Sequence, residues 1–211
     1  MTKIKATIID HMGSDLTVVN AARVSFGKYK EELDEDKDVR LINYLGRNKH
    51  ISPFGHCFAS FHVKAPLFVA RQLVKHKFLR WNEISRRYVD EAPEFYFPEN
   101  WRARAKDKKQ GSAGVHPQTR QMGANAKYVT LEALKEYNLL LMGGAAPEQA
   151  RMILPQNMMT EWYWSGSLDA FADMCNLRCY PDAQEETRIV AEQIDKHMSF
   201  LYPHSWKALR K

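Results

Sequence analysis

Residues 71–88, RQLVKHKFLRWNEISRRY, place six Lys or Arg residues, one histidine and one Glu in a single short stretch. Cationic side chains bind phosphate, arginine bidentately and lysine as a point charge. Asn82, Glu83 and Ser85 add an amide, a carboxylate and a hydroxyl, which read base and sugar edges. A carboxylate inside a cationic cluster stays ionised. The chemistry indicated is capture of a phosphate-bearing ligand beside a selective polar edge. Composition alone leaves a second reading equally open, a solvated basic helix in which Glu83 is an internal ion-pair partner.

Across the chain, 31 Lys+Arg exceed 25 Asp+Glu by six. The stretch 71–88 supplies five of that excess, six cations less one carboxylate, so the remainder is nearly neutral. This concentration favours a local anion pocket over diffuse nucleic-acid contact. No G-x-G-x-x-G, G-x-x-x-x-G-K-[ST] or H-E-x-x-H occurs, so the usual dinucleotide, P-loop and zinc-protease devices are absent. Cys57, Cys175 and Cys179 form no C-x-x-C pair, which signals neither a disulfide framework nor a metal site; reduced structural thiols are expected. No segment reads as a signal peptide or approaches about 20 apolar residues, and a cytoplasmic location is expected.

The elements that must position these groups follow from periodicity. Lys3–Ile9 partly alternates and Cys57–Lys64 alternates fully, as strands do. Asp15–Val24 and the Val39, Ile42, Leu45 spacing predict helices, separated by the charge run 31–38. Pro66 suits the first turn of a helix on which Leu67, Ala70, Leu73 and Val74 share one side and Arg71, Gln72, Lys75 and His76 another. Lys77 would point into the apolar side, so either the helix stops near Lys75 or Lys77 has a buried anionic partner. Both alternatives put Lys75-His76-Lys77 at an element boundary.

Residues 102–121 are polar without hydrophobic period and predict a mobile loop or lid. Tyr128–Leu141 reads as a helix, Pro147 starts a short one carrying Arg151, and the Met- and Trp-rich run to Trp164 reads as core. Ser165-Gly166-Ser167 predicts a break and N-cap before a helix over 168–177. Asp182 with Glu185 resembles a capping box for a long helix through Val190, Ile194 and Leu201. Strands and helices do not alternate regularly. The expected fold is therefore a single-domain, mixed α/β structure with helices packed on a small, mostly antiparallel sheet.

These residues also carry a family resemblance. Lys75-His76-Lys77, seven residues, then Ser85 and Arg87-Tyr88, with Asn82-Glu83 between, resembles the signature of the flavin-dependent thymidylate synthases, Arg-His-Arg, seven residues, Ser. Asn20–Phe26 is similar to the family's A-A-R-V-S-F segment and His50–His56 to its H-x-[TS]-P-F-x-H. Phe61–Gln72, Ala150–Pro155 and Asn176–Arg178 resemble further landmarks in the same order. The resemblance implies methylation of dUMP to dTMP, with 5,10-methylenetetrahydrofolate as carbon donor and NADPH-reduced FAD as hydride donor. It also implies a homotetramer with shared active sites.

Carried over by position, Gln72, Lys75, Glu83, Ser85, Arg86, Arg87, Arg151 and Arg178 would contact dUMP. Ser52, Lys75, His76, Lys77, Glu83, Ser167 and Asp173 would contact FAD. Arg178 would stabilise charge developing on the pyrimidine; Ser85 would position substrate, since no His/Asp relay is recognisable beside it. No cysteine is expected as nucleophile, and no metal. His50 and His56 would support the folate or flavin pocket or serve local packing. Lys75 and Lys77 stand where Arg is usual, and Gly55, Ser167 and Asp182 where Glu, Asn and His are frequent. The alternatives are a divergent member that binds dUMP but turns over weakly, and, as a competing class, a nucleic-acid-binding module with Trp81 and Tyr88 as stacking platforms.

Overall fold

The computed structural model describes residues 3–89, 91–106 and 111–211. β2 (Phe58–Pro66) buries Ala59, Phe61, Val63 and Ala65 and leaves Ser60, His62 and Lys64 partly exposed, the period-two division expected of a sheet with one buried face. β1 (Lys5–Met12) pairs with one side of β2 and β6 (Met159–Ser167) with the other. β3 (Leu79–Glu83) adds to the far side of β6, so the order is β1-β2-β6-β3 and every neighbouring pair is antiparallel.

Helices cover the buried face. α6 (Leu168–Arg178) leaves β6 directly and buries Leu168, Phe171, Met174 and Cys175. α7 (Glu185–Leu201) lies against α6 and β1. α1 (Asp15–Arg23), α2 (Lys37–Arg47) and α8 (Pro203–Leu209) close that side. The Asp15 carboxylate accepts the N–H groups of His204 and Ser205 at 3.0 and 2.8 Å, tying α1 to the start of α8. Sheet register sets Phe61 opposite Trp164 and Val63 opposite Trp162. Trp81 of β3 stacks on Trp162 with ring centroids 4.3 Å apart, a contact worth roughly 0.5–1.5 kcal/mol beyond area burial.

α3 (Leu67–Leu73), α4 (Thr119–Met142) and α5 (Pro147–Ala150) build a smaller core at the other end, where Tyr137, Ala150, Leu154 and Met158 meet Leu67 and Phe95. β4 (Arg102–Arg104) and β5 (Ser112–Val115) form an antiparallel hairpin. No helix among the described residues is long and apolar enough to cross a membrane.

The mixed α/β class with helices on a small antiparallel sheet is observed. Several local expectations change. The segment 102–121 is, in its described part, the β4–β5 hairpin followed by the first turn of α4; residues 107–110 lie outside the described residues. Ser165-Gly166-Ser167 is no break, because β6 runs through Ser167 and α6 follows at once. α7 begins at Glu185 with Gln184, not Asp182, at its N-cap. β6 presents Thr160, Trp162, Trp164 and Gly166 to the core, but Tyr163 on the outer face hides that alternation behind a run of aromatics. β3 escaped periodicity altogether: it is a five-residue edge strand whose pairing depends on β6.

Candidate functional site

α3 ends at Leu73, so the early-stop reading of Lys77 holds, and the chain turns through Phe78, whose φ of +64° is left-handed. A residue with a Cβ rarely occupies that region. The turn reverses the chain into β3, which approaches β6 closely at Gly166: a Cβ there would fall 2.3 Å from Leu79 Cδ2 and 3.1 Å from the Phe78 carbonyl. At the far end of β3 the ladder continues, with Ile84 N–H donating to the Glu161 carbonyl at 2.9 Å.

An open cleft of about 590 Å³ lies where α3, the end of β3 and the 3-10 turn Arg151–Ile153 converge. It brings together Arg71, Glu83, Ser85, Arg86 and Arg151, from three separate stretches of sequence. The Glu83 carboxylate is held by Thr160 Oγ1 at 2.7 Å and Trp81 Nε1 at 3.0 Å. Ser85 Oγ accepts the Arg87 N–H at 3.3 Å, and Arg86 Nη1 donates to the Glu91 carbonyl. Arg151 Nε donates to the Glu148 carbonyl at 3.3 Å. Arg71 makes no hydrogen bond or ion pair with any described residue, so its whole donor fork is available.

Some predicted nucleotide contacts stand outside this cleft. Gln72 turns towards α7, its Nε2 donating to Gln184 Oε1 and its Oε1 accepting from Thr187 Oγ1 at 3.3 Å. Arg87 pairs with Glu148 at 3.1 Å and lies over the Tyr88 ring. Lys75 and Lys77 are exposed in the turn and have no hydrogen-bond or ion-pair partner among the described residues.

His76, between them, is half-buried and accepts a hydrogen bond at Nε2 from Arg178 Nε at 3.0 Å. Burial, and secondarily the Arg178 charge, depress its pKa from 6.5 to about 4. The ring is therefore neutral at physiological pH, with its proton on Nδ1. Burial also lowers the pKa of Arg178, which remains a cation. This contact joins the basic turn to the last turn of α6. Ser167 and Asp173 belong to that same helix region, at its N-cap and five residues before Arg178 respectively, and Ser52 opens the 3-10 turn Ser52–His56 packed against α6.

The profile of the thymidylate synthase complementing protein family matches residues 7–204. A flavin-dependent thymidylate synthase from Thermus thermophilus is 42% identical over 204 residues, covering 97% of this chain and 74% of its own length. One from Thermotoga neapolitana is 38% identical, covering 97% and 89% respectively. The chain belongs to the flavin-dependent thymidylate synthase family. Among solved structures, the UMP/dUMP methylase PolB from Streptomyces cacaoi, bound with 5-Br dUMP, is similar with a TM-score of 0.89 at 33% identity, covering 98% of this chain and 94% of its own.

Within this family frame, Arg71 is the cleft residue that sequence reading missed. Its signal is the i,i+4 spacing to Lys75 on the polar side of the helix. Gly55 has room for a side chain, since an added Cβ would meet only Asp169 Oδ1 at 3.9 Å. The cysteines lie elsewhere: burial, with Asp15 nearby, pushes the Cys57 thiol up to about 12, and burial raises Cys175 as well. Cys175, Cys179 and Asp195 could converge on a metal ion, but Asp195 already accepts from Trp206 Nε1 at 2.9 Å and Arg210 Nε at 2.6 Å. A guanidinium at that carboxylate opposes a second cation.

Proposed function

We propose that this chain methylates dUMP to dTMP, taking the carbon from 5,10-methylenetetrahydrofolate and the reducing equivalents from NADPH by way of FAD. The cleft is the observation that carries the reading. The free guanidinium of Arg71 and the Nη groups of Arg151 suit a phosphate, and Glu83 and Ser85 beside them suit a nucleoside. The methylase structure bound with 5-Br dUMP supports the same ligand class.

The residues present also fit a flavin. Lys75 and Lys77 carry uncommitted charge for its phosphates, and the Ser167 hydroxyl is not spent on capping α6. Ser52, Lys75, His76, Lys77, Glu83, Ser167 and Asp173 would hold it, and reduced FAD supplies the hydride.

The protein's own contribution is placement and field. Arg71, Arg86 and Arg151, which line the cleft, neutralise the phosphate; Gln72, Lys75 and Arg87, which stand outside it in this chain, are assigned to the nucleotide by the family resemblance alone. Arg178, aimed by neutral His76, stabilises negative charge on the pyrimidine as it becomes nucleophilic. Ser85 orients the nucleotide, its Oγ already committed to the turn that carries Arg87. No thiol attacks the ring. The assembly is a homotetramer with shared sites, working in the cytoplasm.

Tritium release from 5-tritiated dUMP, with FAD, NADPH and methylenetetrahydrofolate, tests this directly. Wild type should release tritium, and Arg178→Ala should lose most of it while still binding FAD. Near-normal release by a folded, flavin-bound Arg178→Ala would remove that residue from the chemistry. Colourless protein that cannot be reconstituted with FAD, yet retards oligonucleotides in a salt-sensitive way, would replace the whole reading with nucleic-acid binding.

A further inference from the structure

Next to the nucleotide cleft, with Gln156 lining both, lies a larger hollow of about 790 Å³. Its walls are rings and small apolar groups: Phe68 from α3, Tyr96 and Trp101 from the segment before the hairpin, and Ala126 and Val129 from α4. Amides of Asn100 and Gln156 sit at its edges. A cavity of this size with apolar walls and a few polar groups is the usual form of a small-molecule site. Flat aromatic walls favour a flat aromatic ligand, and edge amides offer both donors and acceptors to ring heteroatoms.

Charge separates this hollow from the cleft. Among the described residues its one lining cation is Arg102, whose Nη2 meets both carboxylate oxygens of buried Glu186 at 2.8 Å and whose Nη1 meets Glu185 at 2.7 Å. Glu186 also accepts from Gln184 at 3.1 Å. One guanidinium meets two carboxylates, which leaves the group net negative by one, so an anionic ligand entering would lose hydration and meet like charge. Arg71 in the cleft is the contrary case, a free guanidinium facing an open anion site.

We propose that this hollow is a second ligand site, distinct from the nucleotide cleft, for an uncharged planar aromatic or heteroaromatic molecule. The inference rests on the cavity's own walls and does not depend on the reaction proposed above.

Equilibrium dialysis of the full chain as purified, against 2-naphthol and against naphthalene-2-sulfonate, tests it. The two probes share a ring system and differ in charge. Saturable binding of 2-naphthol at one per chain is expected, with the sulfonate weaker by about tenfold or more. Val129→Trp, at an exposed position, and Ala126→Phe, at a partly covered one, should each weaken 2-naphthol by a similar factor and leave dUMP affinity unchanged. Absence of saturable naphthol binding, or equal binding of the sulfonate by wild type, overturns the proposal whether or not the variants fold. Undiminished naphthol binding by either variant in folded form overturns it too.

Discussion

Replacing His76 with Phe removes the acceptor for Arg178 Nε while keeping a ring of similar size. At neutral pH the imidazole is uncharged in both folded and unfolded chains. The hydrogen bond from a charged donor then stabilises the fold by about 1.5–3 kcal/mol. Below pH 6.5 the unfolded imidazole takes up a proton, whereas the folded one resists until about pH 4. The unfolded state binds more protons across that interval, so wild type loses stability as pH falls through it. The full interval amounts to about 3 kcal/mol, reduced to about 1.5–2 kcal/mol because solvent reaches part of the ring. His76→Phe lacks this slope. Wild type is therefore more stable than the variant above about pH 7, and the two converge between about pH 4 and 5. Urea unfolding at fixed protein concentration from about pH 4.5 to 8 reads the gap directly. A gap that stays constant, or widens towards acid, refutes the neutral-acceptor assignment; no gap at any pH refutes the contact.

Arg71→Ala should weaken dUMP binding by about tenfold, or 1.4 kcal/mol, with Arg71→Lys recovering part of it. Equal calorimetric affinity in all three proteins would take Arg71 out of the phosphate site. Lys75→Arg with Lys77→Arg should tighten FAD or leave it unchanged in an absorbance titration, because the planar fork adds bidentate contacts; clear weakening would show that the lysines suit this chain's own flavin geometry. Gly166→Ala forces a Cβ into Leu79 and the Phe78 carbonyl, at a cost of about 1–3 kcal/mol. Its melting temperature should fall, and flavin and nucleotide affinity should fall together, since β3 joins both sites. Single Cys57→Ala, Cys175→Ala and Cys179→Ala variants should keep turnover, and a large loss in one that folds and binds FAD would bring that thiol into the chemistry.

What was legible in the sequence was what the chain writes locally. β2 announces itself because its outer face is polar, and α3 because its apolar side spans two turns before the lysines. The basic stretch was readable as an anion device from residue types alone. What stayed hidden depends on partners distant in sequence. Nothing in Leu79–Glu83 says that it pairs with Met159–Ser167. Likewise, nothing in Asp182-Ala183-Gln184-Glu185 says that the Gln184 amide will take up Gln72 and so shift the helix start away from the capping-box pattern. The hairpin over 102–115 was hidden for the same reason: Arg102, a polar residue in a polar run, is ordered by Glu185 and Glu186 on a helix more than eighty residues later.

The cleft's chemistry therefore depends on register more than on the motif. Glu83 reaches Thr160 because β3 pairs Glu83 with Trp162 and Trp81 with Trp164. A slip of one residue would turn the Glu83 carboxylate to the opposite face of the sheet and carry Trp81 off Trp162. Two features oppose that slip: the stacked Trp81–Trp162 pair in the core, and Gly166, which alone lets Leu79 come close enough to begin the ladder. Both lie outside the residues that touch the cleft. The spacing from Lys75 to Ser85 thus has a physical reason: it is the length needed to leave α3, reverse at Phe78, run β3 in one register along β6, and deliver Glu83 and Ser85 beside Arg71.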